Sequence, residues 1–163
     1  MSKHELKIET QGTDFILTRI FNAPREKVFE AHSDCRQLKN WWGPREWPLT
    51  ECKMEFRVGG RWHYCMTGPG GTQAWGLAIY EQIKPPELLA YQDCFSDKEG
   101  NINTALPTTV VRIEFLEENG HTVLKSSARY GSQEDLQKVM DMGMIDGIRQ
   151  TWERLDEYLA KSQ

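Results

Sequence analysis

The sequence predicts an α+β fold: antiparallel strands through the middle of the chain, two short helices near its start and one long helix at its end. Alternating apolar and polar residues recur between turn-forming stretches from residue 61 to residue 130. Asn119-Gly120 stands between two such alternating runs, the strongest short-range signal of a β-hairpin. From Ser132 onward the apolar residues instead follow helical steps of three and four. Segregated strands and helices argue for α+β rather than for a parallel α/β sheet.

The elements follow in order. "FILTRIF" (15–21) is apolar and β-branched enough for a strand. Pro24 then opens "PREKVFEAHSD", where proline suits the first helical position and Val28, Phe29 and His32 form one short apolar face. A second brief helical turn runs through "RQLKNWW" and must end at Gly43-Pro44. "RWHYCMT" (61–67) alternates, with Trp62, Tyr64 and Met66 on one face and Arg61, His63 and Cys65 on the other. "AWGLAIYEQI" (74–83) places Trp75, Leu77 and Ile79 together, and the intervening "GPGG" makes the pair a hairpin. Gly59-Gly60 reads as a tight turn into the first of these strands, since a phosphate loop would need a following helix. Pro85-Pro86 closes the second strand, and "ELLAYQDCF" (87–95) starts a third. Residues 96–107 are a polar loop, of a length typical of lids as well as of disordered segments. "TTVVRIEFLEE" and "HTVLKSSARY" then flank Asn119-Gly120.

Ser132 is a good N-cap, with Asp135 three residues on. A stripe of Leu136, Val139, Met140, Gly143, Met144, Gly147, Ile148, Trp152, Leu155 and Leu159 follows. Unbroken to Ala160 it predicts a helix of roughly 28 residues, about 42 Å at ~1.5 Å per residue. A greasy face that long needs a partner of equal length, and the inner face of the sheet is the partner on offer. A strongly curved antiparallel sheet wrapped around the helix buries both apolar faces and leaves a gap between them.

The 163 residues are expected to form a single domain, 1–163, large enough to fold without cross-links. The net charge of −4, with no long run of like charge, argues against general nucleic-acid or anionic-membrane binding. "MSKHELKIETQG" has no apolar signal segment, and no stretch is apolar enough to span a bilayer. Cys35, Cys52, Cys65 and Cys94 form no C-x-x-C pair, so four reduced thiols in a cytoplasmic protein are expected. His4, His32, His63 and His121 fall on separate elements, so no metal and no cofactor are expected.

"NAPREKVFEA", "WWGP", "FRVGGRW", "YEQIKPPELL" and the terminal "WERLDEYL", in that order, resemble the bacterial activator of heat-shock-protein-90 ATPase homologue proteins. That family lies in the START-like, polyketide-cyclase-related superfamily that also holds the birch-pollen allergens. The resemblance spans about Phe15 to Leu159. It implies a helix-grip fold, a curved sheet gripping the C-terminal helix around a mostly apolar cavity. It carries over no catalytic set, since this scaffold hosts carriers, cyclases, hydrolases and chaperone regulators.

Within such a cavity Trp62, Tyr64, Trp75, Leu77, Tyr91 and Ile113 are expected on the inner sheet face, with Trp42 near the mouth and Met144 and Trp152 on the helix side. The same residues would also suit a solid core. The aromatic polar tips, Gly143, Gly147 and the adaptable methionines favour a pocket, although those glycines would serve close helix packing equally well. Trp41 and Trp42 point about 100° apart if helical, one a core plug and the other at a lip. Asp93 shares the face of Tyr91 and is either a buried acid–base candidate or a solvated strand-end residue. The expected partner is a small hydrophobic molecule of aromatic, polyketide-like or lipid-like kind. A cyclase or hydrolase in the same cavity is the alternative and needs a buried ionisable group, with Asp93, Arg112 or Glu81 as candidates. A chaperone-partner role is the third reading.

Overall fold

The computed structural model describes residues 5–161, so the expectation for His4 lies outside the described residues. Eight antiparallel strands form one sheet: β1 (Lys7–Gln11), β2 (Asp14–Phe21), β3 (Leu49–Met54), β4 (Arg61–Thr67), β5 (Gln73–Lys84), β6 (Leu88–Ser96), β7 (Thr109–Glu118) and β8 (His121–Arg129). Their order across the sheet is β1-β2-β8-β7-β6-β5-β4-β3. Sequence pattern locates all of these except the edge strands β1 and β3. Asn119 and Gly120 take φ of 54° and 80°, the paired left-handed geometry of a two-residue hairpin turn.

Four helices accompany the sheet: α1 (Arg25–Glu30), α2 (Cys35–Leu38), α3 (Gln133–Asp141) and α4 (Met144–Lys161). The connection from β2 to β3 carries α1 and α2 from one side of the sheet to its far edge. Pro24 is the N-cap of α1 rather than its first helical residue. The Asp34 carboxylate caps α2 by accepting from Gln37 N–H at 2.9 Å. α4 lies against the inner face, burying Thr151, Trp152, Leu155 and Leu159. Arg19 on β2 meets Asp156 of α4 at 3.5 Å inside this layer.

The terminal helix is not continuous. Ser132 caps α3 as expected, accepting from Asp135 N–H at 3.0 Å. The helix then stops, because Gly143 adopts φ of 90° and its N–H bonds Met140 O at 3.0 Å. A glycine in that left-handed position is an ordinary helix stop. The chain restarts at Met144, so the expected rod is two helices meeting at a joint.

The cysteine expectation is also corrected. Cys35 and Cys52 are joined in a disulfide, while Cys65 and Cys94 are free and buried. The bond ties the start of α2 to β3 across a 17-residue separation. Those two positions lie far apart in the sequence pattern but come together once β3 takes the sheet edge beside the β2–β3 connection. No helix among the described residues is long and apolar enough to cross a membrane.

Candidate functional site

Strand pairing decides which side chains face the helices. Trp62 of β4 stands opposite Ala78 of β5, Tyr64 opposite Gly76, and Met66 opposite Ala74. From Ala74 to Ala78 the inner face of β5 is therefore small, and Trp75 and Leu77 point to the outer face, contrary to the sequence expectation. The reason is packing between neighbouring strands. A Cβ at Gly76 would lie 2.4 Å from the Tyr64 ring, so the β4 aromatics occupy the space above β5. Trp75 borders the cavity at its rim, but its ring stacks on His63 at 4.9 Å on the outside. Leu77 is buried without lining the cavity. We expect Gly76→Ala to destabilise the fold by about 1–3 kcal/mol through overpacking, read from urea unfolding; an unchanged midpoint would show that Tyr64 swings aside freely.

The same pairing continues inward-facing positions across the sheet: Ala78 with Asp93, Tyr80 with Tyr91, Tyr91 with Val111, and Asp93 with Thr109. Ile113 and Ser126 complete the row toward β8. Between these residues and the joint of α3 and α4 lies a cavity of about 560 Å³. Tyr64, Tyr91, Asp93, Ile113, Met144 and Trp152 line it, as does Trp42. Trp62 faces inward but is covered by neighbours: Trp42 meets it edge-on at 4.8 Å and Tyr64 lies 4.4 Å away. It supports the wall rather than forming it.

The three clustered tryptophans divide their roles. Trp41 is fully buried, and its indole N–H donates to Ala31 O at 3.0 Å. Trp42 and Trp47 are half-buried and line the cavity beside Gly43 and Pro44. Trp41 is the plug, and the other two are the lip. Facing them across the mouth are Met142, which is 57% exposed, and Gly147. The lip is clamped to α4: the Arg154 guanidinium donates to Gly43 O at 2.8 Å and Trp42 O at 3.2 Å. Arg45 forms a two-pronged pair with Glu157, and the Tyr158 hydroxyl donates to Gln37. Sequence reasoning does not single out Arg154, because a lone arginine on a polar helix face carries no signal of its target.

The cavity wall is apolar with one charged point. Tyr64 donates its hydroxyl to Asp93 Oδ1 at 3.0 Å. Burial raises Asp93 to a pKa of about 6, the Tyr64 hydrogen bond opposing that rise. By surface area Asp93 is only half-buried, because part of that surface is the cavity wall. Burial also pushes the hydroxyls of Tyr64 and Tyr91 well above their ordinary range. His32 lines the cavity too, and its Nδ1–H donates to Val28 O at 2.8 Å, since a carbonyl can only accept. Burial lowers its pKa to about 4, so Nε2 keeps its lone pair at neutral pH. The other ionisable candidates are corrected: Glu81 and Arg112 are exposed, the latter on the outer face of β7.

The 96–107 loop is not a lid on this cavity. Asp97 organises it by accepting from Glu99 N–H and Asn101 N–H, and Asp97 O bonds His63 on the outer face at 2.9 Å.

The sequence profile described as Activator of Hsp90 ATPase homolog 1-like protein matches residues 22–160. A solution structure of a protein from Arthrobacter aurescens is 32% identical with a TM-score of 0.89, covering 95% of this chain and 91% of that one. A crystal structure of a protein from Mycobacterium smegmatis is 33% identical with a TM-score of 0.86, covering 95% of each chain. A protein from Rhodobacter sphaeroides, 25% identical, superposes with a TM-score of 0.86 over 98% of this chain and 100% of that one. A comparison with curated proteins finds no match.

Proposed function

The chain belongs to the family of Activator of Hsp90 ATPase homolog 1-like proteins, with its curved-sheet, START-like fold, and on that premise we propose that it binds a small, largely apolar molecule between the sheet and α3–α4. The observation that supports this reading is the cavity itself. Solid cores close to voids scarcely larger than a water molecule, whereas about 560 Å³ falls in the range of small-molecule sites. Apolar burial drives binding at about 25 cal/mol per Å², less the costs of association and ordering. Native mass spectrometry on protein purified without organic solvent, followed by an amide-shift screen of aromatic and lipid-like compounds, tests it. A bound small mass, or shifts on Tyr64, Tyr91 and the α4 face, is the expected result. An empty protein that no compound shifts removes the reading.

Asp93 favours a second reading, a cyclase- or hydrolase-type enzyme in the same cavity. A carboxyl group with a pKa of about 6 is poised for proton transfer near neutral pH. Its test is product formation from any ligand the screen identifies, with loss of turnover in Asp93→Asn. A chaperone-docking role has less support: exposed Val110 and Leu116 are separated along β7 by Arg112 and Glu114 and form no continuous apolar patch there.

The setting proposed with the binding role is cytoplasmic, and the Cys35–Cys52 bond weighs against it. Alkylating thiols at the moment of cell lysis decides the point. Four modified cysteines in denatured protein are expected of a reducing compartment, and two would place the chain in an oxidising one.

A further inference from the structure

We propose that the ligand is an organic amine cation on an apolar body, anchored by the Asp93 carboxylate and surrounded by the aromatic wall of the cavity. This rests on the small-molecule reading above and narrows its chemistry.

The fold makes little use of the charge on Asp93. Asp93 sits on the inner face of β6 between Ala78 and Thr109 of the neighbouring strands, neither of which carries a charge. Its one hydrogen bond among the described residues comes from Tyr64 to Oδ1, and a neutral amide or hydroxyl oxygen would accept that bond equally. Among the described residues no lysine or arginine lines the cavity, so none of them gives the carboxylate a counter-ion there. A buried carboxylate lacking a cation is costly, and that cost falls when a bound cation supplies the missing charge.

Four other polar groups of the lining spend their donors on acceptors within the protein. Tyr64 donates to Asp93, Thr151 to Gly147 O at 2.8 Å, and Tyr130 to Met144 Sδ at 3.2 Å. His32 spends its Nδ1–H on Val28 O and presents a lone pair. Trp42, Tyr64, Tyr91 and Trp152 add aromatic rings to the lining, a residue type that attracts organic cations. An anionic head group, such as that of a fatty acid, would meet Asp93 with no compensating cation. The same lining that welcomes an apolar body therefore selects the positive head group.

Three probes that differ only in their terminal group test this by calorimetry at pH 7.5: 2-(1-naphthyl)ethylamine, 2-(1-naphthyl)ethanol and 1-propylnaphthalene. The amine is expected to bind wild-type protein about tenfold or more tighter than the alcohol and the hydrocarbon, the scale of one charge-assisted contact. Asp93→Asn should abolish that preference, since Coulomb attraction to the carboxylate is what the variant removes. Lowering the pH to 5 should weaken amine binding to the wild type, because Asp93 protonates about pH 6. The titratable groups that face Asp93 stay neutral in that window: burial raises Tyr64, Tyr80, Tyr91, Tyr130 and Cys94 and lowers His32 to about 4. Equal or tighter binding of the alcohol or the hydrocarbon to the wild type overturns the amine proposal and leaves the apolar-ligand reading standing. Absence of binding by all three overturns both. The wild-type comparison needs no variant, so a poorly folding Asp93→Asn does not spare the proposal.

Discussion

Trp41→Ala is expected to cost about 3–5 kcal/mol of stability, the upper range for a single core truncation. Trp41 is completely inaccessible to solvent, and it joins three parts of the structure. Its ring meets the edge of His32 at 4.8 Å, which belongs to the segment after α1, and that of Trp42 at 5.5 Å, which lines the cavity. Its N–H satisfies Ala31 O at the C-terminal end of α1. Alanine would leave a cavity among these groups and an orphaned buried carbonyl, and both losses add. Trp41→Phe separates the two, since it keeps most of the bulk and loses only the N–H; about 1–2 kcal/mol is expected. Trp42→Ala should cost less than Trp41→Ala, because Trp42 is half-buried and one side already faces the cavity. Urea unfolding followed by far-ultraviolet circular dichroism measures all three. Similar midpoints for Trp41→Ala and Trp42→Ala would show that the plug and lip roles are wrongly divided.

The sequence reading puts Trp42 near the mouth, but on an expected cavity rather than on a local signal. Two adjacent tryptophans before Gly-Pro state that their rings diverge, but not which ring meets the core. The fold as a whole was more readable, because alternation, hairpin turns and helical steps are local signals and each strand from β4 to β8 carries one. Face assignment was less so. Trp75 and Leu77 alternate as well as any inner pair, and the choice between faces depends on Tyr64 of the next strand filling the space above Gly76. Size misled in that case, since at Ala74, Gly76 and Ala78 the inner side of β5 is small beside the large side chains of β4. Gly143 offered a true signal that the helical stripe concealed: a glycine in register with apolar positions reads as spare room, while its positive φ ends a helix. The Cys35–Cys52 bond had no local signal, as the two meet only after the β2–β3 connection has crossed the sheet. Asp93 and His32 were visible as residues, but their perturbation comes from burial, which belongs to the folded cavity.

Those two groups make opposing contributions to the pH dependence of stability, and removing either one should expose the slope of the other. Asp93 has a folded pKa of about 6 against an ordinary 3.8. Between those values the folded chain holds the proton and the unfolded chain does not, so stability falls as pH rises, and the full penalty applies above about pH 6. His32 has a folded pKa of about 4 against an ordinary 6.5, so there the unfolded chain binds the extra proton. Its contribution is present at neutral pH and is lost as pH falls through that window. At about 1.4 kcal/mol per pH unit, each effect is on the order of 3 kcal/mol, and the two slopes oppose each other from about pH 4 to 6. Asp93→Asn keeps an oxygen for the Tyr64 hydroxyl and removes the falling limb. It is expected to be more stable than wild type by on the order of 3 kcal/mol at pH 7 and to lose that advantage progressively toward pH 4. His32→Asn, whose amide N–H can replace the bond to Val28 O, should show the opposite slope, gaining stability on acidification between pH 6 and 4 whatever its absolute level. Urea midpoints measured at intervals from pH 4 to 8 give both slopes. Parallel curves for wild type and Asp93→Asn would mean that the carboxylate is not held in a desolvated state by the cavity wall. The sign matters for the site as well as for the fold: the penalty of ionising Asp93 in the empty protein is the cost that the proposed cation would offset.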